Sequence, residues 1–219
     1  MWDAATGTLL HDLKGHSKLV GSAELNRDGT RIVTASYDGT AKVWDAATGT
    51  LLHDLKGHSR SVNSAAFNRD GTRIVTASDD GTAKVWEAAT GTLLLDLKGH
   101  SEWINTAAFN RDGTRIVTAS VDRTAKVWDA ATGTLLHDLK GHSESVGSAA
   151  YNRDGTRIVT ASSDGTVKIW DAETGKCLDT IPNIPGLMVK GADIRNLHPD
   201  STLSDEDREI LRRYGAIVD

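Results

Sequence analysis

Residues 57–98 read GHSRSVNSAAFNRDGTRIVTASDDGTAKVWEAATGTLLLDLK, and the alternation of apolar runs and turns in this stretch decides the fold. Val62 to Phe67 and Arg73 to Ser78 are short β-type runs separated by Asn68-Arg69-Asp70-Gly71. Asp80-Gly81 follows, then Ala83 to Trp86, the turn Ala89-Thr90-Gly91 and a last run, Thr92 to Leu97. Asp-Gly between such runs is a strong hairpin signal, because glycine takes positive φ at no steric cost. The stretch predicts four antiparallel strands in a meander. A sheet of this kind has two apolar faces and must stack on neighbours.

The pattern repeats outward in both directions. Tryptophans stand at Trp2, Trp44, Trp86, Trp128 and Trp170, each step being 42 residues. Gly-His recurs on the same step at Gly15-His16, Gly57-His58, Gly99-His100 and Gly141-His142. Complete units therefore occupy 15–56, 57–98, 99–140 and 141–182, preceded by a half unit, 1–14. The first three share 31 of 42 positions, which points to duplication or design. Gly-His, the Asp-Gly turn and a closing Trp-Asp at this spacing resemble the WD-repeat β-propeller family, over residues 1 to about 182. The resemblance implies an all-β propeller of four full blades plus an orphan N-terminal outer strand. It also implies a non-enzymatic scaffold for a protein or peptide partner. Glu87 replaces Asp in one Trp-Asp pair, and Arg123 replaces the glycine after one turn Asp.

Composition narrows the function classes. The 219 residues carry 25 Lys+Arg against 30 Asp+Glu, a net charge of −5, so no large basic field recruits nucleic acid or anionic lipid. Cys177 is the single cysteine, so no internal disulfide forms and a cytoplasmic setting is expected. No apolar run in the sequence approaches the ~18 residues of a membrane span. No Cys/His cluster has zinc spacing, and neither a phosphate loop nor a calcium loop is present, so no metal or cofactor is expected.

One constellation looks catalytic. Each unit places His, Ser, Asp and Trp at fixed offsets: His16, Ser36, Asp38 and Trp44; His58, Ser78, Asp80 and Trp86; His100, Ser120, Asp122 and Trp128; His142, Ser162, Asp164 and Trp170. A hydrolase would use one such Ser-His-Asp set, with His deprotonating Ser and Asp orienting His. Four interchangeable sets argue instead for a buried chain of polar side chains, which the family resemblance also implies, running through Trp, Ser, His and Asp. His11, His53 and His137 share a fourth-strand position with Leu95, which argues against a metal role and suggests surface residues.

The positions at which the copies differ point to recognition. The residue before the turn Asp is Tyr37, Asp79, Val121 or Ser163, and the start of strand one carries Lys18, Arg60, Glu102 or Glu144, then Leu19, Ser61, Trp103 or Ser145. Gly21, Asn63, Asn105 and Gly147 vary two places on, whereas Lys42 and its equivalents, expected to be exposed, do not. The resemblance puts both variable regions on one rim. The expected binding residues are Lys18, Leu19, Tyr37, Arg60, Asp79, Glu102, Trp103, Val121, Glu144 and Ser163.

The ends pose a closure problem. Blades shaped for a larger ring make only an open arc, and two such arcs on a two-fold axis would close eight blades, so homodimerisation is expected. A closed four-blade ring, or an orphan piece of a larger bacterial signalling or defence protein, are the alternatives. The strand at Thr8 to Leu13 is surplus: either it displaces Lys176 to Ile181 or it pairs with another chain. Residues 183–203 read as a linker. Residues 204–219 read as a helical tail, with Ser204 as cap, a helix near Asp205 to Tyr214 and Gly215 as stop. Ala192 to Leu197 has the look of one pentapeptide-repeat turn, and the tail is similar to segments that follow repeats in bacterial NACHT-type proteins.

Overall fold

The computed structural model describes residues 1–182. The expected linker and helical tail lie outside the described residues. Among the described residues sixteen strands form four antiparallel four-stranded sheets in sequence order. The first sheet holds β1 (Val20–Leu25), β2 (Arg31–Ser36), β3 (Thr40–Asp45) and β4 (Leu51–Lys56). The second holds β5 (Val62–Phe67), β6 (Arg73–Ser78), β7 (Thr82–Glu87) and β8 (Leu93–Lys98). The third holds β9 (Ile104–Phe109), β10 (Arg115–Ser120), β11 (Thr124–Asp129) and β12 (Leu135–Lys140). The fourth holds β13 (Val146–Tyr151), β14 (Arg157–Ser162), β15 (Val167–Asp171) and β16 (Cys177–Ile181).

Turn chemistry fixes the register. Asn68 closes the first turn: its amide donates to the Arg73 carbonyl, and its Oδ1 accepts the Arg73 amide at 2.9 Å. Asp70 Oδ1 then accepts both the amide and the hydroxyl of Thr72. The expected fourth strand is displaced by one residue, to Leu93–Lys98, because Thr92 belongs to the turn, its carbonyl accepting the Glu87 amide. A bulge between Val85 and Trp86 absorbs the extra residue.

Consecutive sheets stack face to face. Val33, Ala35 and Leu55 of the first sheet pack with Val62, Ala65, Phe67, Ile74 and Trp86 of the second, and the set recurs at the next two interfaces. An arginine staples each junction: Arg31, Arg73 and Arg115 donate to the carbonyls of Ala88, Ala130 and Ala172 in the following sheet, at 2.6–2.9 Å. First strands pack in series, β1 on β5, β5 on β9 and β9 on β13; among the described residues no comparable packing joins the first sheet to the fourth. The four sheets form an open arc.

The arc's two ends differ. Val20 and Leu25 of β1 are 46% and 51% exposed, against 0% and 8% for their equivalents Val62 and Phe67. The outer part of the same face is covered. Residues 1–13 fold into a hairpin bridged at Trp2 and Leu9, with the terminal amine donating to the His11 carbonyl at 2.6 Å. Its Met1 and Leu13 lie on Ile32, Trp44 and Ala46, as Leu55 lies on the second sheet. Of the two alternatives for this segment, displacement of the last outer strand does not occur: β16 keeps its place beside β15, Val167 to Trp170 pairing with Cys177 to Ile181.

Candidate recognition rim and the network beneath it

Every sheet carries the same chain of polar side chains, and it runs through threonine. In the second sheet the Trp86 indole Nε1 donates to Thr76 Oγ1 at 2.9 Å. Thr76 Oγ1 lies 2.8 Å from His58 Nε2, and His58 Nδ1 lies 2.8 Å from Asp80 Oδ2. Trp44–Thr34–His16–Asp38, Trp128–Thr118–His100–Asp122 and Trp170–Thr160–His142–Asp164 repeat it. With an ionised carboxylate and a neutral imidazole, Nδ1 carries the hydrogen and Nε2 accepts from threonine, so every donor finds an acceptor. Asp80 takes two further donors on Oδ1, the amide and hydroxyl of Thr82, and the Ser59 amide on Oδ2. The Gly-His glycine belongs to the same packing: a Cβ on Gly57 would stand 3.2 Å from the Trp86 ring.

The serines assigned to this chain do not belong to it. Ser36, Ser78, Ser120 and Ser162 donate to carbonyls at the start of strand one and accept the amides of Asp38, Asp80, Asp122 and Asp164, two residues on. They sit at the strand end, too far along it for the imidazole, whereas Thr76 lies opposite Lys84, beside Trp86. The hydroxyl that faces each histidine is a fully or nearly fully buried threonine under a tryptophan. Such a hydroxyl has no path to a substrate. A β-branched Thr at a fixed offset inside RIVTAS was the available signal, masked by the more familiar Ser-His-Asp reading.

Burial pushes His58 and His142 below the usual histidine value, against the pull of Asp80 and Asp164. Burial acts to raise the Asp80 carboxyl, but hydrogen bonds from Thr82, His58 and the Ser59 amide outweigh it and lower it to about 2. Asp38, Asp122 and Asp164 are likewise held well below the ordinary carboxylate range, burial again opposing the donors. A neutral His58 or His142 against its ionised carboxylate is a structural pairing at neutral pH. Among the described residues no group of three or more His, Cys, Asp or Glu side chains is arranged to hold a metal ion.

The variable residues stand directly above this network. The amides of Tyr37, Asp79, Val121 and Ser163 donate to the carbonyls of Leu19, Ser61, Trp103 and Ser145, so the end of strand two and the start of strand one meet at one rim in each sheet. Lys18, Leu19, Tyr37, Arg60, Glu102, Trp103, Glu144 and Ser163 are exposed there, and Asp79 and Val121 half-buried. Lys18, Tyr37, Arg60, Asp79 and Trp103 share one cleft of about 350 Å³. Leu19, Glu102, Val121, Glu144 and Ser163 lie outside it. Arg123, a departure from the repeat, also joins this rim, with φ at 70° where the other units have glycine.

Some of the variation is internal compensation. Gly21, Asn63, Asn105 and Gly147 are the unpaired residues of the strand-one bulges. A Cβ on Gly21 would meet the Tyr37 ring at 3.3 Å, while Asn63 donates to Asp79 Oδ1 at 2.7 Å. In the first two sheets the bulge residue is thus matched to the rim residue of its own sheet, whereas Asn105 donates to the Val146 carbonyl of the next sheet at 2.8 Å. Lys42 needs correction as a comparator: it is 6% exposed, with its ammonium 2.8 Å from Asp54, so its repetition is structural. His11, His53 and His137 are half-buried rather than free at the surface, packed on Gly49, Gly91 and Gly175 of the next unit.

Stacked four-stranded meanders, each locked by an internal Trp–Thr–His–Asp chain, define an interaction scaffold of the propeller type. The WD domain, G-beta repeat (WD40) pattern matches four times, at residues 7–45, 49–87, 91–129 and 133–171, and the chain belongs to that family. Over 42 residues it is 48% identical to "Eukaryotic translation initiation factor 3 subunit I" of Bombyx mori; the match covers 19% of this chain and 13% of that protein. Among the described residues no helix is long and apolar enough to cross a membrane.

Proposed function

We propose that the protein is a non-enzymatic recognition scaffold of the cytoplasm whose protein or peptide partner docks on the variable rim. The cleft that gathers Lys18, Tyr37, Arg60, Asp79 and Trp103 from three sheets carries this reading. Trp, Tyr and Arg are the residue types most often found as binding hot spots. Trp103 is exposed and stands outside the tryptophan ladder, so no blade needs it. Peptides selected from a displayed random library against the intact protein should lose binding in Trp103→Ala and Tyr37→Ala, and keep it in Lys176→Ala at a turn before an outer strand. Selected peptides indifferent to both rim variants would remove the reading.

We further propose that copies associate end to end. Val20 and Leu25 repeat a surface that Val33 and Ala35 cover at the next interface, and their equivalents Val159 and Ala161 are half-buried at the far end of the arc. One chain thus carries both halves of a contact it makes three times internally. Residues 1–13 occupy the outer part of the receiving face, so full seating requires them to shift. Light scattering should report a mass above the 23.4 kDa of one chain, reduced to it by Val20→Asp. A single-chain mass at all concentrations would exclude association.

A further inference from the structure

The rim opposite the variable one carries a feature that the scaffold does not explain. The turn Asn-Arg-Asp-Gly-Thr-Arg occurs in all four units and supplies two arginines each time. The second is structural in three units, stapling one sheet to the next. The first, Arg27, Arg69, Arg111 and Arg153, is exposed, and among the described residues it makes no ion pair and no side-chain hydrogen bond. All four nevertheless line one cavity of about 540 Å³ at the mouth of the arc, walled by Leu25, Phe67, Phe109 and Tyr151.

Four guanidiniums around one opening are an unfavourable arrangement without a counter-charge. The repulsion is felt within the set: the charges of Arg111, Arg27 and Arg153 pull Arg69 below the usual arginine value. Among the described residues Glu24 is the one carboxylate on the cavity wall, and its Oε1 is engaged by the Phe67 amide at 3.1 Å. The aspartate after each arginine turns back into its own loop, where Asp28, Asp70, Asp112 and Asp154 accept from Thr30, Thr72, Thr114 and Thr156. The described residues therefore make this mouth positive although the chain as a whole is negative.

We propose that this mouth is a binding site for a compact polyphosphate, held by Arg27, Arg69, Arg111 and Arg153. The planar guanidinium fork matches phosphate oxygens in pairs, and four forks converging on one small space suit dense charge rather than an extended chain. The cavity lies within the size range of small-molecule sites. Its apolar wall lowers the local dielectric and strengthens each contact.

Calorimetric titration of the intact protein with inorganic tripolyphosphate at low salt tests the site. Saturable binding is expected, weakening as salt rises because the Debye length contracts. Arg69→Gln and Arg111→Gln should each weaken it by about tenfold, the scale of one charge-assisted hydrogen bond. Orthophosphate should bind more weakly than tripolyphosphate. The pair Arg27→Gln and Arg153→Gln, at the two ends of the arc, gives a second reading should the central variants unfold. Absence of tripolyphosphate binding, or binding unchanged in either pair of folded variants, overturns the proposal. So does a poly-glutamate peptide that binds as tightly as tripolyphosphate, since that would assign the mouth to acidic chains.

Discussion

The first and second sheets are built from nearly the same 42 residues, yet one is covered on both faces and the other is half bare. Strand pairing is alike in both: Ile32 faces Trp44 as Ile74 faces Trp86, and the strand-one bulge falls at the same place. What differs is the neighbour. β5 lies under the β2 face of the first sheet, while the hairpin of residues 1–13 covers only Ile32, Trp44 and Ala46 on the opposite face and leaves β1 bare. Local sequence therefore sets the meander, and stacking sets the burial that stabilises it. Tryptophan gives the widest contrast, since Trp2 is 66% exposed and Trp86 only 2%. Trp86→Ala should cost about 3–5 kcal/mol, whereas Trp2→Ala should stay within about 1 kcal/mol, both read from denaturant midpoints. Equal losses would mean that the hairpin is as integral as a full blade.

The polar chain tests the other half of the comparison, because it is complete in both sheets. Thr76→Val keeps the shape but leaves the Trp86 indole hydrogen and His58 Nε2 without a partner, for a loss of about 2 kcal/mol. Thr34→Val should cost about as much, since Trp44, Thr34, His16 and Asp38 close the same chain without help from a neighbouring sheet. A much smaller loss in the first sheet would show that the chain depends on stacking. Serine at position 76 should restore most of the stability by returning the hydroxyl.

Acid acts on the same chain. Burial holds folded His58 below its ordinary 6.5, so the unfolded state binds the proton more readily. The contribution is full above the unfolded value and declines as pH falls through 6.5 towards the lower folded value. Asp80 adds to it lower down: its folded value of about 2 lies below the ordinary 3.8, so its contribution is present above 3.8 and is lost as pH falls towards 2. The urea midpoint should drop as pH falls through 6.5 and again as it falls below 3.8. A flat midpoint over the upper interval would contradict a buried neutral His58.

Much of this arrangement is legible in the residues, and the exceptions share a cause. RIVTAS, Asp-Gly and the tryptophan step fix strands, turns and copy number because they act within one sheet. The role of Thr76 is not legible in one strand because it appears only across the strand pair, where Thr76 lies beside Trp86 and under His58. Lys42 looked solvent-exposed because the alternation within β3 is visible in sequence, while its cross-strand partner Asp54 is not. The arginine mouth needed four distant turns brought together, and sequence alone gives only their repetition. Local rules are readable from one unit; packing between units requires the neighbour.

Position 123 gives the smallest expected effect and the most specific one. Gly39, Gly81 and Gly165 occupy the left-handed region at the turn after strand two, with φ of 86°, 78° and 79°, and Arg123 takes φ of 70° at the same place. A residue with a Cβ pays roughly 1 kcal/mol there relative to glycine. Arg123→Gly should therefore raise stability by about 0.5–1 kcal/mol, and Gly81→Arg should lower it by a similar amount. The sheets around both positions are covered on each face, so stacking does not confound the pair. Strain held at a single exposed position of the rim is what a binding role for the arginine predicts: the more stable Arg123→Gly protein should also bind rim-selected peptides less well. Greater stability with unchanged binding would reduce Arg123 to a tolerated departure from the repeat.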